Sequence, residues 1–134
     1  NILAAIGVAQ MEVLAERIQK RRQIFEWYRE TLADISEITF MPELPNTQGN
    51  RWLSALTFEN SDPTRVRLLL EEENIESRPL WKPMHLQPLF KEAIRVQNGT
   101  SQALFEKGLC LPSGTQMSRQ DVERVCSLLK KALR

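Results

Sequence analysis

The chain has 134 residues, 42% of them hydrophobic and 26% charged, with a formal charge of +1. This is the balance of one ordinary globular domain, long enough to bury on the order of two thirds of its unfolded surface without a disulfide or metal staple. No apolar run approaches the ~18 residues needed to cross a bilayer, and no basic excess is present to drive phosphate-backbone binding, so neither a membrane role nor a nucleic-acid partner is expected.

From residue 2 to about 33 there is no proline, and Ala4, Met11, Ile18, Phe25 and Leu32 recur every seven residues, joined by Gly7, Leu14 and Tyr28. The pattern predicts one long helix. At ~1.5 Å per residue it would reach roughly 50 Å, more than the ~30 Å width of a compact domain, so its first turns are expected to project. A coiled coil is the plain alternative, weakened by Arg21 at a seam position and by the small Ala4 and Gly7. The preferred reading is a connecting helix cut at its start, with "NILAAIGVAQ" packed against a larger domain. The run "QKRRQ", Gln19 to Gln23, reads as a solvated face offset by Glu12, Glu16 and Glu26.

Beyond Asp34 the pattern turns to short extended pieces. "EITFM" (Glu37 to Met41) and "WLSALTFE" (Trp52 to Glu59) are β-branched and aromatic, and Pro42, Pro45, Asn46, Gly49 and Asn50 between them are turn formers. Asp62 then caps a helix with Pro63 at its first position; Val66, Leu69 and Leu70 share a face, and Asn74 ends it. "IESRP" (Ile75 to Pro79) is a further extended piece. After Asn98-Gly99-Thr100, read as a turn and helix cap despite matching a glycosylation sequon, a short helix falls within "SQALFEKG", with Gly108 as its left-handed terminator. "LCLP" (Leu109 to Pro112) is a short strand. The terminal helix opens on Ser118 and Asp121 at capping-box spacing, aligns Val122, Val125, Cys126, Leu129 and Leu133, and ends among Lys130, Lys131 and Arg134. The sum predicts an α+β fold: helices covering one side of a small, mostly antiparallel sheet, with residues 1–34 as a linking helix and 35–134 as the domain proper.

Between the third strand and the short helix lies "RPLWKPMHLQPLF", Arg78 to Phe90, with three prolines and the only histidine. Each proline fixes φ and removes a backbone donor, which makes the stretch a stiff, ordered loop. Such loops carry binding residues, and Arg78, Trp81, Lys82, His85 and Gln87 offer charge, an aromatic face and hydrogen-bonding groups. The plain alternative is a surface connection pinned to the core by Trp81, Leu86 and Phe90. Lys82 beside Trp81 invites a Schiff-base role, on slender grounds. One histidine and two cysteines, Cys110 and Cys126, fit no zinc spacing; both thiols read as reduced and buried. No glycine-rich phosphate cradle, nucleophile elbow or acid pair is present.

Three stretches in order carry a resemblance over nearly the whole chain. "NILAAIGVAQMEVLAERIQKRR" resembles the start of the small domain of DegT/DnrJ/StrS-type sugar aminotransferases; "NIESRPLWKPMHLQPLF" is similar to their substrate loop, and "GLCLPSGTQMSRQDVERVCSLLKKAL" to their closing strand and terminal helix. The resemblance implies the C-terminal small domain of an aspartate-aminotransferase (type I) fold. It implies pyridoxal 5'-phosphate (PLP) as cofactor, held by a lysine of a large domain upstream and not by this chain. It further implies amino transfer from glutamate to a nucleotide-linked keto-sugar, in a cytoplasmic homodimer, for glycan or surface polysaccharide biosynthesis. The form "ESRPLWKPMH" is similar to enzymes acting on UDP-4-keto-6-deoxy-N-acetylhexosamines. By the resemblance His85 reaches the sugar-nucleotide site through a hydrogen bond. Trp81 would stack on a pyranose or base, and Lys82 or Arg78 would pair with phosphate or with the carboxylate of glutamate. Many relatives place a histidine and an aromatic before the central proline, where this chain has Leu80, Trp81 and Lys82, so its sugar contacts are expected to differ. The rival from another class is a non-enzymatic dimerisation or sugar-sensing module that shares the fold. The isolated chain is expected to be inactive and to associate through its exposed helix.

Overall fold

Asn1 starts the first helix by accepting from the Leu3 amide through its side chain. The helix, α1, then runs without a break over Ile2–Thr31 in this computed structural model, which describes residues 1–133; the Arg134 expectation lies outside the described residues. At ~1.5 Å per residue α1 spans roughly 45 Å. Its two ends differ sharply. Ile2, Leu3, Ile6, Val8, Met11 and Leu14 are exposed, whereas Ile24, Phe25 and Tyr28 are buried with Leu32 just beyond.

Four strands form one antiparallel sheet in the order β1-β2-β4-β3: β1 is Ile38–Phe40, β2 Ser54–Phe58, β3 Arg78–Pro79 and β4 Gly108–Leu111. The two-residue pleat sends Ser54, Leu56 and Phe58 of β2 inward and leaves Ala55 and Thr57 partly covered on the other face. The register pairs Leu56 with Leu109 and Ser54 with Leu111, which aligns the inward side chains of the central strands. Helix α2 (Pro63–Glu72) is capped by Asp62, whose side chain accepts from the Thr64 amide, and it buries Val66 and Leu70. Asn74 stops it in a left-handed conformation, φ 59°. Helix α4 (Arg119–Ala132) opens with the Ser118–Asp121 capping box and buries Val122, Val125, Cys126, Leu128 and Leu129. α1, α2 and α4 together enclose the core over one face of the sheet.

Helix α3, Thr100–Lys107, corrects two expectations. Its terminator Gly108 is not left-handed: at φ −103° and ψ 147° it is already the first residue of β4. Glycine is needed there for room, since a Cβ would lie 2.1 Å from Leu80 Cδ1 and 2.5 Å from the Leu104 carbonyl oxygen. The left-handed glycine is Gly99, φ 83°, ahead of the helix, where the Asn98 side chain accepts from the Thr100 amide. The second correction is one of layers. α3 and Leu80 meet the sheet at Gly108, on the face opposite the main core, so the helices do not all share one side.

The "QKRRQ" run is also more than a solvated face. Lys20 pairs with Glu16 at 2.8 Å as an exposed ion pair, but Arg21 and Arg22 are half-buried and bind loops far away in sequence. Among the described residues no helix is long and apolar enough to cross a membrane, and no cluster of His, Cys, Asp and Glu could hold a metal ion.

Candidate substrate cavity

At one end of the sheet, where β2 begins, β4 ends and β3 begins, the chain encloses a largely apolar cleft of about 500 Å3. That volume and lining are those of small-molecule sites, which pair apolar walls with a few placed polar groups. Trp52 and Leu53 form one wall, Pro112 and Ser113 a second, Glu76 to Pro79 with Trp81 a third; Cys110 lies among them.

The local sequence explains the Trp52 wall. Arg51 takes a left-handed backbone, φ 49°, in which a residue other than glycine is uncommon and costs about 1–2 kcal/mol. Three contacts hold it: its guanidinium lies 4.0 Å from the Phe25 ring centroid, donates 3.0 Å to the Met41 carbonyl and pairs with Glu43 at 3.4 Å. The reversal at Arg51 points the chain into the cleft, and the Trp52 amide is then taken up by Asn50 Oδ1 at 3.0 Å. Glu43 anchors the approach, accepting from Arg22, from the Gly49 amide and from Arg51. The Arg22 hydrogen bond, the Gly49 amide and the charge of Arg51 hold its carboxyl down at about 2, against an ordinary 4.5.

The Pro112–Ser113 wall is tied to α1. Tyr28 Oη donates 3.0 Å to the Pro112 carbonyl, Arg21 Nη1 donates 3.0 Å to the Ser113 carbonyl, and Arg17 Nη1 donates 2.8 Å to Thr115 Oγ1. Burial pushes the Tyr28 hydroxyl far above its ordinary range, which keeps it a donor. The same Arg21 nitrogen also donates to the Trp52 carbonyl. Inside, Ser113 Oγ accepts from the Ser54 amide at 2.8 Å and so joins β2 to the end of β4.

Of the residues singled out from sequence, the structure brings Arg78 and Trp81 to the cleft and leaves Lys82 and His85 outside its lining. Arg78 is exposed and pairs with Glu76 at 2.6 Å. Trp81 is 65% exposed and does not pin the loop to the core; it faces Trp52, with ring centroids 6.1 Å apart and planes at 39°. Lys82 is exposed. His85 sits in a 3-10 turn, Met84–Leu86, followed by another over Pro88–Phe90, so the proline-rich loop is wound rather than extended. Its imidazole is half-buried, and Nε2 is buried without a hydrogen-bond partner among the described residues. Gln87 folds back, donating 3.2 Å to the Lys82 carbonyl.

Sequence reasoning missed Trp52, Ser113 and Arg21. Trp52 opens a stretch that reads as a strand, and the left-handed Arg51 that frees it leaves no compositional trace. Cys110 and Cys126 are both free and buried. Burial pushes the Cys110 thiol up and that of Cys126 up to about 12, so neither is a ready nucleophile.

The DegT/DnrJ/EryC1/StrS aminotransferase family model matches residues 1–130. EpsN of Bacillus subtilis (strain 168) is 46% identical over 134 residues, covering 96% of this chain and 34% of that protein. A GDP-perosamine synthase of Caulobacter vibrioides is 30% identical over 137 residues, covering 99% of this chain and 37% of that protein. The crystal structure of the aminotransferase TlmJ from Streptoalloteichus hindustanus is similar with a TM-score of 0.86, at 24% identity, over 97% of this chain and 35% of that one. The chain thus spans little more than a third of the length of these relatives, and the structural likeness bears out the α+β fold. Matched from residue 1 to 130, this chain belongs to the DegT/DnrJ/EryC1/StrS aminotransferase family.

Proposed function

We propose that residues 35–134 form the small C-terminal domain, and residues 1–34 its linking helix, of a PLP-dependent aminotransferase. The full-length enzyme transfers an amino group from glutamate to a keto group on a nucleotide-linked sugar, as a cytoplasmic homodimer serving glycan or surface polysaccharide biosynthesis. Among substrates, a UDP-4-keto-6-deoxy-N-acetylhexosamine is the finer proposal. The relatives support the sugar class, one being named a GDP-perosamine synthase. The observation that carries the reading is the cleft itself, where a guanidinium and two indoles converge at one end of the sheet.

PLP supplies an electron sink when bound. The cleft does not fit it as a holding site: no lysine lines it, and Lys82 lies outside. No step through the cofactor is therefore assigned to these residues, whose part is to grip the substrate. Trp52 and Trp81 offer flat apolar faces suited to a pyranose or a base. Arg78 offers a two-pronged donor for diphosphate or for a carboxylate, at the cost of its exposed pairing with Glu76. His85, outside the cleft lining and with Nε2 buried and unpartnered among the described residues, would have to turn outward to hydrogen-bond sugar or diphosphate, and Lys82 would be the nearby point charge.

The test is steady-state kinetics of the full-length protein with glutamate and nucleotide-linked keto-sugars. Trp81→Ala and His85→Ala are each expected to raise the sugar KM about tenfold with kcat retained, the signature of lost ground-state and transition-state binding alike. Cys110→Ala and Cys126→Ala are expected to keep turnover. Unchanged kinetics in both site variants would remove the loop from the site, and sugar binding without turnover in the wild type would favour the sensing module.

A further inference from the structure

Arg21 binds differently from most cations of α1. Among the described residues it, like Arg17, enters no ion pair, although Lys20, Arg22 and Arg29 all do. One of its guanidinium nitrogens instead donates to two backbone carbonyls, those of Trp52 and Ser113, 31 and 92 residues away. These two residues belong to different walls of the cleft. A cation that satisfies two carbonyls at once fixes the distance between them, because each charge-assisted hydrogen bond is stronger than a neutral one and both share a single atom.

We propose that Arg21 is a positioning residue for the substrate cleft: it ties the Trp52 and Ser113 carbonyls together and so sets the tilt of Trp52 against Trp81. This deepens the proposed function and rests on it for the identity of the substrate. Three geometric facts converge. The Trp52 backbone leaves a left-handed Arg51 and is held at its amide by Asn50, so the tie at the Trp52 carbonyl fixes the other side of the residue from which the indole projects. The Ser113 side is independently fixed, by Tyr28 below and by Ser54 within the sheet, which makes it the fixed end of the tie. The indole pair is exposed and tilted at 39°, an arrangement that packing alone does not enforce. Arg21 does not line the cleft and is not expected to touch the substrate.

The experiment uses the full-length protein and two readouts. Without substrate, the Trp52–Trp81 pair should give a far-ultraviolet exciton couplet in circular dichroism that Trp52→Phe abolishes. Arg21→Gln is expected to lose most of that couplet and to raise the sugar KM about tenfold with kcat within about twofold of wild type. Arg21→Lys keeps a charged donor on the helix and is expected to fall between the two in both readouts. Lys20→Gln, the neighbouring cation, which pairs with Glu16 on the same helix, is the control and should change neither. A wild-type couplet and KM in Arg21→Gln would overturn the proposal, as would a lysine variant no better than glutamine. Should Arg21→Gln fail to fold, the lysine variant decides, a wild-type couplet and KM there overturning it. Absence of any nucleotide-sugar turnover in the wild type would sink the proposed function, while the couplet, read without substrate, still decides the positioning role.

Discussion

Two segments meet at the cleft and are held in opposite ways. The turn 112–115 is tied to α1 by Tyr28, Arg21 and Arg17, partners 84 to 98 residues away in sequence. The stretch 80–90 is tied mainly to itself, with the Leu86 amide on Pro83, Gln87 on Met84 and Phe90 on Gln87, all three residues apart. Its links to the rest include the two-residue strand β3, Leu80 against Gly108 and Trp81 against Trp52. Stiffness and placement are therefore separate properties. Prolines make the second segment rigid, but only long-range ties fix where a segment sits, and of these the first has more. A site built between the two can keep one wall constant while the other is repositioned by a partner or substrate.

The sharpest way to break the comparison is at the anchored wall. Tyr28 is fully buried, and Tyr28→Ala is expected to cost about 3–5 kcal/mol by urea unfolding, as for other large aromatic truncations. Tyr28→Phe keeps the ring and isolates the tie to Pro112, at about 1 kcal/mol. Arg51→Ala removes a nearly buried cation and is expected to cost about 3 kcal/mol, leaving Glu43 short of one partner. Gly108→Ala should cost about 1–3 kcal/mol through overpacking against Leu80 and Leu104. It should also raise amide exchange in 80–90 while leaving the amides of 113–117 as they are, and the reverse pattern would merge the two segments into one unit.

The Glu43 clasp adds a pH dependence. Because its carboxyl titrates at about 2 in the folded chain against an ordinary 4.5, its stabilisation is complete above about 4.5 and is lost as pH falls toward 2. Wild type should lose stability relative to Glu43→Gln across that window, and parallel curves would show that the clasp is not formed. The smallest effect is expected at Lys82, whose exposed side chain should change stability by less than ~0.5 kcal/mol on replacement by alanine.

Much of the fold was legible because the signals are local and mutually consistent. The Ser118–Asp121 capping box, Asp62-Pro63 and the period of α1 each specify a helix on their own. The site was legible only in part. Arg78 and Trp81 were marked by their place in a proline-rich loop, yet the same loop drew Lys82 and His85 into a set that the cleft does not include. Trp52 and its Arg21 tie depend on contacts between residues 31 and 92 positions apart, and on a left-handed Arg51 that no residue preference foretells. Gly108 shows the same limit at a single residue. A glycine after a helix reads as a left-handed cap, and only the approach of Leu80 reveals that the requirement is space.

The most direct measurement is a crystal structure of the full-length protein soaked with the nucleotide-linked amino-sugar product. The expected result is a sugar ring against Trp81 or Trp52 and a phosphate or sugar oxygen within hydrogen-bond distance of Arg78, with the Trp52–Ser113 tie through Arg21 intact. Product bound with no contact to residues 76–81 or to Trp52 would contradict the assignment of this cleft.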